Sequence, residues 1–286
     1  MSKMRDRFRE VLSRPDCTLA ANIFDPLSAR IAHMLDYEVC FLSGSVGKVA
    51  NLGVPDIVLY NSSDSVDHCR RIMRMADVSL MLDGGEGFGN AVNTMRTVKE
   101  LEAVGVSAIE IEDNIARTRF DSWDPGLASQ AEQVGKLEAA VAARNDPGTV
   151  IVARTSALTY CPLDEALDRI SAYSQTGVEA VRLTGLKTRE QLEAIHQATP
   201  LPLTVLSPPD DMRNDPAFMA ANGVRIVMAG NPAFGMAVKA VYDCFKHLQD
   251  GGDVADLASN EASPELLREV NRTDEFIQMQ ELYLRS

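Results

Sequence analysis

The amino-acid sequence predicts an α/β protein, a (β/α)8 TIM barrel that ends in a helical extension. Short runs rich in β-branched residues alternate with longer amphipathic stretches, and this alternation occurs eight times between residues 1 and 250. Strictly alternating strands and helices favour a parallel sheet covered by helices. Eight such units within one domain of this length favour a closed barrel. An open, doubly wound sheet is the alternative, because one miscounted strand would change the topology.

The eight predicted strands are short apolar runs that end in glycine or polar residues. The run Val150-Ile151-Val152-Ala153, for example, has the continuous apolar character of a strand that is buried on both faces. The strands are predicted at residues 18–24, 39–42, 78–82, 108–111, 149–153, 178–183, 203–206 and 224–228.

The intervening stretches have the apolar spacing of helices. Asp25-Pro26 is a typical helix start, and in residues 90–104 apolar side chains recur at mixed spacings of three and four. Helices are predicted at residues 3–13, 27–35, 65–75, 90–104, 130–144, 163–174, 189–198, 216–222 and 233–249. Residues 1–250 are therefore expected to form the barrel domain.

The pattern changes after Gly251-Gly252, where a polar segment begins. Residues 251–286 are expected to form a C-terminal helical extension, with helices at 264–271 and 273–284. Since a short polar tail buries little apolar surface by itself, it is expected to pack on the barrel or on a neighbouring subunit.

Composition and charge narrow the class of protein. The 286 residues include 28 Lys and Arg against 41 Asp and Glu, and the formal net charge of −13 disfavours binding to nucleic acid or anionic membranes. No segment has the roughly 18 consecutive apolar residues of a membrane span, and the first ten residues lack the apolar region of a secretory signal. Five widely spaced cysteines without a CxxC motif argue against a disulfide framework or a zinc site. We therefore expect a cytoplasmic protein.

Two acidic residues are candidates for a metal site, because chemistry in a barrel lies at the carboxyl ends of the strands. Asp83 and Glu112 follow neighbouring strands, so their carboxylates are expected to converge. Two oxygen ligands on rigid supports suit a Mg²⁺ ion that keeps several waters. The alternative is that both acids only cap the helices that follow them.

Residues 83–90 contain four glycines, which permit positive φ angles and close approach of the backbone to a ligand. A nucleotide-phosphate loop is one interpretation, but the segment has neither GxGxxG nor the GK[ST] of a P-loop. A mobile active-site loop or a tight turn is favoured instead.

A guanidinium group and a serine-rich loop are the candidates for binding a small anionic substrate. Arg154 follows the fifth strand and offers forked donors to a carboxylate or phosphate. An ion pair with Asp83 or Glu112 is an alternative that is compatible with substrate binding. Ser43-Gly44-Ser45 precedes a helix whose N-terminal amides and hydroxyls suit an oxyanion, unless Ser43 is an ordinary cap.

Seven short motifs occur in a specific order and spacing. They are Leu27-Ser28-Ala29-Arg30, Ser43-Gly44-Ser45, Gly53-Val54-Pro55-Asp56, Gly87-Phe88-Gly89-Asn90, Ile111-Glu112-Asp113, Val134-Gly135-Lys136 and Ala153-Arg154-Thr155. Together they resemble the isocitrate lyase / phosphoenolpyruvate mutase superfamily over residues 5–250. The length and the residues 238–244 are most similar to its short oxaloacetate decarboxylase branch.

The resemblance implies a Mg²⁺-dependent barrel enzyme that makes or breaks a C–C or P–C bond next to an enolate of a small 2-oxo or 2-hydroxy acid. It also implies a homo-oligomer, a dimer of dimers in which C-terminal helices are exchanged between subunits. In the family pattern, Asp83 matches the first metal-binding aspartate, and Asp56 and Glu112 match carboxylates of the outer metal sphere. Arg154 matches the substrate-binding arginine, and Ser43, Gly44 and Ser45 match the segment that holds the substrate's carboxylate or enolate oxygen. Arg154, Glu112 and Asp56 are thereby the candidate catalytic residues.

The metal motif departs from the family pattern. Its second aspartate is Gly85 here, and Glu86 follows where the family often has histidine or lysine. Glu86 is the candidate for supplying the missing carboxylate to the metal. Ser156 stands where the family usually has aspartate after Ala-Arg-Thr. Both a weakened metal site and a lost one are compatible with these changes.

The acid–base residues of two branches are also missing. Residues 117–120 occupy the loop that carries a catalytic cysteine in the lyase branch, which argues against cleavage of isocitrate or methylisocitrate. Asn231 stands where the decarboxylase branch has histidine, and Ser207 lies near the position of its tyrosine. Asn231 is retained as a candidate substrate-binding residue.

Three functions are therefore in competition. The first is a carbon–carbon lyase or decarboxylase that acts on a 2-oxo dicarboxylic acid such as oxaloacetate through a Mg²⁺-stabilised enolate. The second is a mutase, hydrolase or isomerase on a phosphonate or another unusual acid, which the changes at residues 84–86 and at Asn231 suggest. The third is a metal-free family member that binds an anion without decarboxylating it, which Gly85, Ser156 and Asn231 suggest.

Overall fold

In the described residues, eight strands form one closed barrel of parallel neighbours. The computed structural model describes residues 2–57, 59–116 and 126–284. The strands are β1 Thr18–Ile23, β2 Cys40–Leu42, β3 Leu80–Asp83, β4 Ala108–Glu112, β5 Val150–Thr155, β6 Ala180–Leu183, β7 Leu203–Leu206 and β8 Val224–Met228. They follow chain order around the barrel, and β8 pairs back to β1. The predicted (β/α)8 fold is confirmed, and the open sheet is excluded.

Three strands continue farther than the apolar runs indicated, and each extension carries a charged residue of the predicted site. β3 ends at Asp83, β4 ends at Glu112, and β5 includes Arg154. Their backbones stay in the parallel ladder, since Glu112 pairs with Arg154 and Asp83 pairs with Glu110. The strands therefore extend beyond the apolar runs, because a charged side chain at the barrel mouth does not interrupt backbone pairing.

Helices follow the strands and cover the outside of the barrel. In the described part of the barrel they are α1 Lys3–Ser13, α2 Pro26–Met34, α3 Gly44–Leu52, α4 Ser62–Met75, α5 Ala91–Ala103, α6 Gln130–Ala143, α7 Ala157–Tyr160, α8 Leu163–Ser174, α9 Arg189–Ala198, α10 Asp210–Arg213 and α11 Pro216–Ala221. The side chains of Asp25, Asn61, Asn90 and Thr188 each accept a hydrogen bond from a backbone amide in the first turn of a helix. These caps set where the helices begin, as short polar residues commonly do.

Helix α1 lies across the amino ends of the strands. Arg5 donates hydrogen bonds to the carbonyl oxygens of Glu102 (2.6 Å) and Val106 (3.1 Å), which precede β4. Arg9 donates to the carbonyl oxygen of Gly148 (3.1 Å), which precedes β5. The helix therefore braces the end of the barrel that supports stability in this fold, opposite the rim where chemistry is expected.

The amino half of the barrel interior is a packed core rather than a pore. Phe8 and Val11 of α1 are buried together with side chains from seven strands, namely Ala20, Phe41, Met81, Ala108, Val150, Val152, Ala180, Ile226 and Met228. Two further apolar clusters fill the space between the outer faces of the strands and the surrounding helices. This packing holds the strands rigidly, so the side chains at their carboxyl ends have fixed positions.

The chain forms two compact units, Met1–Asn231 and Pro232–Ser286. The second unit contains α12 Pro232–Gln249, a 3-10 segment Val254–Asn260, α13 Pro264–Val270 and α14 Thr273–Tyr283. Helix α12 has no buried residue in this structure. The predicted domain boundary after residue 250, and the exchange of helices between subunits, remain predictions.

Within the described ranges, no helix is both long enough and apolar enough to cross a membrane.

Removal of the Phe8 side chain should destabilise the barrel. We expect Phe8→Ala to lower the free energy of unfolding by about 3–5 kcal/mol, because this ring is fully buried between α1 and the strands. Phe8→Leu keeps part of the apolar volume and should lose clearly less. Urea unfolding followed by circular dichroism measures both variants, and equal losses would contradict the packing described.

Candidate active site at the carboxyl rim of the barrel

Arg154 joins the two acidic residues that were predicted to converge. Its Nη1 lies 2.7 Å from Oδ2 of Asp83 and 2.9 Å from Oε2 of Glu112. The three side chains are only 12–17% exposed. They come from the carboxyl ends of β3, β4 and β5, and the barrel places those strands side by side. The structure therefore assembles Asp83, Glu112 and Arg154 into one partly buried cluster at the expected rim.

Asp83 is held in its ionised form by several donors. Oδ2 accepts from the amide of Gly44 (3.2 Å), and Oδ1 accepts from the amide of Gly85 (3.1 Å). Burial acts to raise the pKa of Asp83, but Arg154, Arg182 and these two amides outweigh it and lower the pKa to about 2. This carboxylate stays charged at every physiological pH.

Glu112 has the opposite shift, although it contacts the same guanidinium. Burial raises the pKa of Glu112 to about 7; attraction to Arg154 opposes this shift, whereas repulsion from Asp83 and Glu86 reinforces it. One Arg154 nitrogen serves both carboxylates, so a single cation cannot compensate both of them fully. The charge of Glu86 acts on Glu112, and the role of Glu86 toward a metal stays a prediction.

A second charged pair lies deeper in the barrel and was not predicted from the sequence. Arg182 of β6 forms an ion pair with Glu110 of β4, and both side chains are at most 1% exposed. The Arg182 guanidinium carbon lies 4.6 Å from the centroid of the Phe41 ring, a cation–π distance. Burial raises the pKa of Glu110 to about 7 and lowers the pKa of Arg182. The alternation Ile109-Glu110-Ile111-Glu112 was the available signal, since residues two apart on a strand share a face.

Asp113, which follows the last residue of β4, joins the carboxyl ends of β4 and β5. Its carboxylate accepts hydrogen bonds from Thr155 Oγ1 (2.7 Å), the amide of Ser156 (3.0 Å) and Tyr173 Oη (3.1 Å). The Ser156 hydroxyl donates to Asn114 Oδ1 (2.8 Å). Ser156, one of the departures from the family pattern, thus has a structural hydrogen bond. The network fixes the residues next to Glu112 and Arg154 and thereby helps to hold these two side chains in position.

The serine-rich loop leads into α3 without a side-chain cap. Ser43 is the residue before α3 but makes no capping hydrogen bond with its side chain. Its hydroxyl oxygen instead lies 3.0 Å from that of Ser45. The amide of Gly44 already binds Asp83, so the N-terminus of α3 is adjacent to the charged cluster. The role of Ser43, Gly44 and Ser45 toward a small anion stays a prediction.

The glycine-rich segment after β3 is a compact turn. Gly87 and Gly89 have φ angles of +85° and +140°, which L-residues rarely adopt, and Phe88 between them has +57°. The amide of Gly87 donates to the carbonyl of Gly84 (3.1 Å), and Thr97 Oγ1 donates to the carbonyl of Gly87 (3.1 Å). These contacts support the tight-turn interpretation over a nucleotide loop.

Two predicted site residues have other partners in this structure. Asp56 is largely exposed, and its Oδ1 lies 2.5 Å from Nζ of Lys48 on α3. Asn231 follows β8, and its Oδ1 accepts from Nδ2 of Asn22 on β1 (3.2 Å). Their roles toward metal and substrate remain predictions. The changed loop at residues 117–120 lies outside the described residues.

The charges of the cluster fit a divalent cation. Three carboxylates, those of Asp83, Glu110 and Glu112, form ion pairs with Arg154 or Arg182, and the charge of Glu86 acts on Glu112 as a fourth. When all are ionised, a surplus of negative charge remains. Within the described ranges, no group of three or more His, Cys, Asp or Glu side chains is spaced to hold an ion. The protein would thus supply one or two carboxylate ligands to a cation that completes its shell with water or substrate oxygens, as Mg²⁺ commonly does.

The raised pKa of Glu112 makes stability depend on pH. Between its ordinary value of 4.5 and about 7, folded Glu112 holds a proton that the unfolded chain has released, so the free energy of unfolding falls as pH rises. In EDTA, we expect the free energy of unfolding of Glu112→Gln to fall less steeply with pH than that of the wild type. Part of the decline should remain, because the pKa of Glu110 is also raised to about 7. Chemical denaturation at pH 4.5, 5.5, 6.5 and 7.5 (about one-unit steps) measures the slope. Glu138→Gln, on the exposed face of α6, is the control; an unchanged slope in Glu112→Gln would count against the assignment.

Comparison with known proteins places the chain in a family. The family described as phosphoenolpyruvate phosphomutase matches residues 8–249. An oxaloacetate decarboxylase of Rhodopseudomonas palustris (strain BisA53) is 41% identical over 94% of this chain and 93% of its own. One from Paraburkholderia xenovorans (strain LB400) is 38% identical over 98% and 93%.

Two solved structures extend the likeness to three dimensions. The phosphoenolpyruvate phosphomutase from Streptomyces platensis subsp. rosaceus has a TM-score of 0.87 at 27% identity and covers 98% of this chain and 99% of its own. A phosphonopyruvate hydrolase in complex with oxalate and Mg²⁺ has a TM-score of 0.85 at 28% identity, with 99% and 100% covered. These findings confirm the resemblance drawn from the seven motifs. The chain belongs to the phosphoenolpyruvate mutase family.

Proposed function

We propose that the protein is a carbon–carbon lyase, specifically a decarboxylase of a small 2-oxo dicarboxylic acid, with oxaloacetate as the preferred substrate. The observation that carries this proposal is the Arg154 guanidinium, fixed between Asp83 and Glu112 at the barrel mouth. Such a cluster offers a cation for a substrate carboxylate and carboxylates for a metal. The relatives named oxaloacetate decarboxylase support the same substrate class.

The substrate is held by positive charge and by aligned donors. Arg154 presents a forked guanidinium to one carboxylate, a geometry that Lys cannot reproduce. Nε of Arg154 is buried and, in the part of the chain that the structure describes, has no hydrogen-bond partner. Ser43, Ser45 and the N-terminus of α3 offer further donors to an oxyanion beside it. Two anionic ends of a dicarboxylate can thus be bound at once.

The chemistry requires stabilisation of an enolate. Loss of CO₂ from C3 of oxaloacetate leaves an electron pair in the enolate of pyruvate, which then takes up one proton. A bound divalent cation, for which we propose Mg²⁺, would supply positive charge to the enolate oxygen, a contribution of several kcal/mol. Asp83 is the residue that would hold it, with Glu86 as the candidate second ligand and with Glu112 and Asp56 as carboxylates of its outer sphere. Arg154 would orient the leaving carboxylate while the α3 donors restrain the other end.

A phosphonopyruvate-type mutase or hydrolase is the second candidate. The likeness to the phosphonopyruvate hydrolase and the phosphoenolpyruvate phosphomutase supports it, and so does the altered metal motif at Gly85 and Glu86. A phosphonate would need the same arginine and the same donors. The third possibility is a metal-free binding protein. Divalent cations would have no effect on it, which distinguishes it from both candidates.

We also propose a homo-oligomer, a dimer of dimers, in the cytoplasm. Helix α12 exposes several large apolar side chains on one face, among them Val238 (52%), Tyr242 (63%) and Phe245 (68%), and a contiguous apolar surface is typical of a subunit interface. All five cysteines are free, as in proteins of a reducing compartment.

Decarboxylation should depend on the fork of Arg154. We expect pyruvate to be released from oxaloacetate faster than in solution, and Arg154→Lys to reduce kcat/KM by about 100-fold, because the substituted ammonium cannot bind a carboxylate through two parallel hydrogen bonds. A coupled lactate dehydrogenase assay measures pyruvate. Arg96→Lys, on the exposed face of α5, is the matched control.

A wild-type rate no higher than the solution rate would remove the decarboxylase proposal. Phosphate release from phosphonopyruvate, measured on the same preparation, would then favour the second candidate.

Metal binding should require Asp83. We expect calorimetric titration of the EDTA-treated protein with Mg²⁺ in the presence of oxalate to show one site per chain, and Asp83→Asn to weaken binding at least about 10-fold. The reason is the loss of a fully charged oxygen ligand at the centre of the cluster. Asp243→Asn, an exposed position on α12, serves as the control. Equal Mg²⁺ affinity in Asp83→Asn and the wild type would favour the metal-free interpretation.

A further inference from the structure

Asn22 of β1 faces the inside of the barrel near its carboxyl end. Residues two apart on a strand share a face, and Ala20 belongs to the packed core inside the barrel, whereas Ile23 belongs to an outer cluster. Asn22 is also the backbone partner of Phe41 on β2, which is another inner residue. Ser43 follows Phe41 by two positions, so Asn22 lies near the start of the serine-rich loop.

The side chain of Asn22 forms a hydrogen bond with a candidate substrate-binding residue. Its Nδ2 donates to Oδ1 of Asn231 (3.2 Å), which follows β8. Since β8 pairs with β1, the two amides lie on the same wall of the barrel. In the closed barrel β1 is opposite β5, the strand that carries Arg154. The mouth therefore has a guanidinium on one wall and a pair of uncharged amides on the opposite wall.

Fold stability does not account for an amide at residue 22. Oδ1 of Asn22 is buried and has no hydrogen-bond partner among the described residues, and a buried acceptor without a partner lowers the free energy of unfolding. An apolar side chain of the same shape would avoid this loss. What the amide provides is the hydrogen bond to Asn231.

This hydrogen bond determines which group of Asn231 remains available to a ligand. Oδ1 of Asn231 is engaged by Asn22, so its Nδ2 is left with two hydrogens to donate. An amide NH₂ group is a donor without charge. It suits an anionic oxygen, whereas the reversed amide would present an acceptor to that oxygen.

We propose that Asn22 is a positioning residue that fixes the amide of Asn231, so that the Asn231 NH₂ group donates to one anionic end of the substrate. Asn22 acts through Asn231 rather than on the substrate. The inference deepens the proposed function and rests on it: Arg154 binds one end of the dicarboxylate from β5, and Asn231 supplements the donors of Ser43 and Ser45 at the other end.

The test is a double-mutant cycle on KM for oxaloacetate. Leu has the branched shape of Asn without a hydrogen-bonding group, and we expect Asn22→Leu to raise KM by about 3- to 10-fold. The value of kcat should change little, because the weakened contact is common to the bound and transition states. In an Asn231→Ala background, Asn22→Leu should raise KM no further, since its effect passes through the Asn231 amide. Asn145→Leu, exposed on the loop before β5, is the matched control.

Binding of L-malate measures the same effect without turnover. Malate has the two carboxylates of oxaloacetate but a hydroxyl group in place of the keto group. We expect its dissociation constant with Mg²⁺, measured by calorimetry, to rise by about 3- to 10-fold in Asn22→Leu. The constant should be the same in Asn231→Ala with and without Asn22→Leu. Thermal unfolding followed by circular dichroism verifies that each variant is folded.

An unchanged KM and an unchanged malate affinity in folded Asn22→Leu would overturn the proposal. An increase that is equally large in the Asn231→Ala background would also overturn it, because Asn22 would then act independently of Asn231. Should Asn22→Leu not fold, Asn22→Ala enters the same cycle with the same expected outcomes, because its smaller side chain cannot overfill the mouth.

The failure of this inference can be told apart from the failure of the proposed function. A wild-type protein that binds malate but releases no pyruvate removes the decarboxylase and leaves the positioning role to be judged by binding. An active wild type with unchanged KM in Asn22→Leu removes the positioning role and leaves the decarboxylase. A wild type that neither binds malate nor releases pyruvate removes both.

Discussion

The site depends on one buried cation that is shared by two carboxylates. A guanidinium taken out of water must be compensated nearby, and Arg154 satisfies this requirement with Asp83 and Glu112 from the two preceding strands. The contact is possible only if β3, β4 and β5 are adjacent and in register, which the closed barrel provides. The packing at the amino end, where α1 is tied to the strands, therefore serves the chemistry at the opposite end.

Much of the fold and the centre of the site could be predicted from sequence. The strand–helix alternation was strong because parallel strands are buried on both faces and read as continuous apolar runs. Asp83, Glu112 and Arg154 were identifiable because each interrupts such a run at its carboxyl end. Once the barrel is assumed, the geometry of the fold alone brings them together.

The deeper charges could not be predicted in the same way. Glu110 lies inside an apolar run, and its partner Arg182 is 72 positions away, so the pair is visible only when the register across three strands is known. Asp113 and Tyr173 are joined over a similar separation. The pairing of Asp56 with Lys48 depends on the path of the loop after α3, and loop paths follow from local backbone choices that residue types do not specify. Sequence patterns therefore predicted the charged residues at the carboxyl ends of the strands but not the charged pair one layer deeper in the barrel.

The conformation of Gly85 limits which residues this position accepts. Its φ angle is +54°, and its carbonyl accepts a hydrogen bond from the amide of Glu112 (2.8 Å). A side chain added there would meet no neighbouring atom, but an L-residue in this conformation costs about 1–2 kcal/mol. An aspartate placed at residue 85 would thus strain a turn whose shape also anchors Glu112. A carboxylate added at this position would therefore lower the stability of the barrel mouth unless the loop changed its conformation as well.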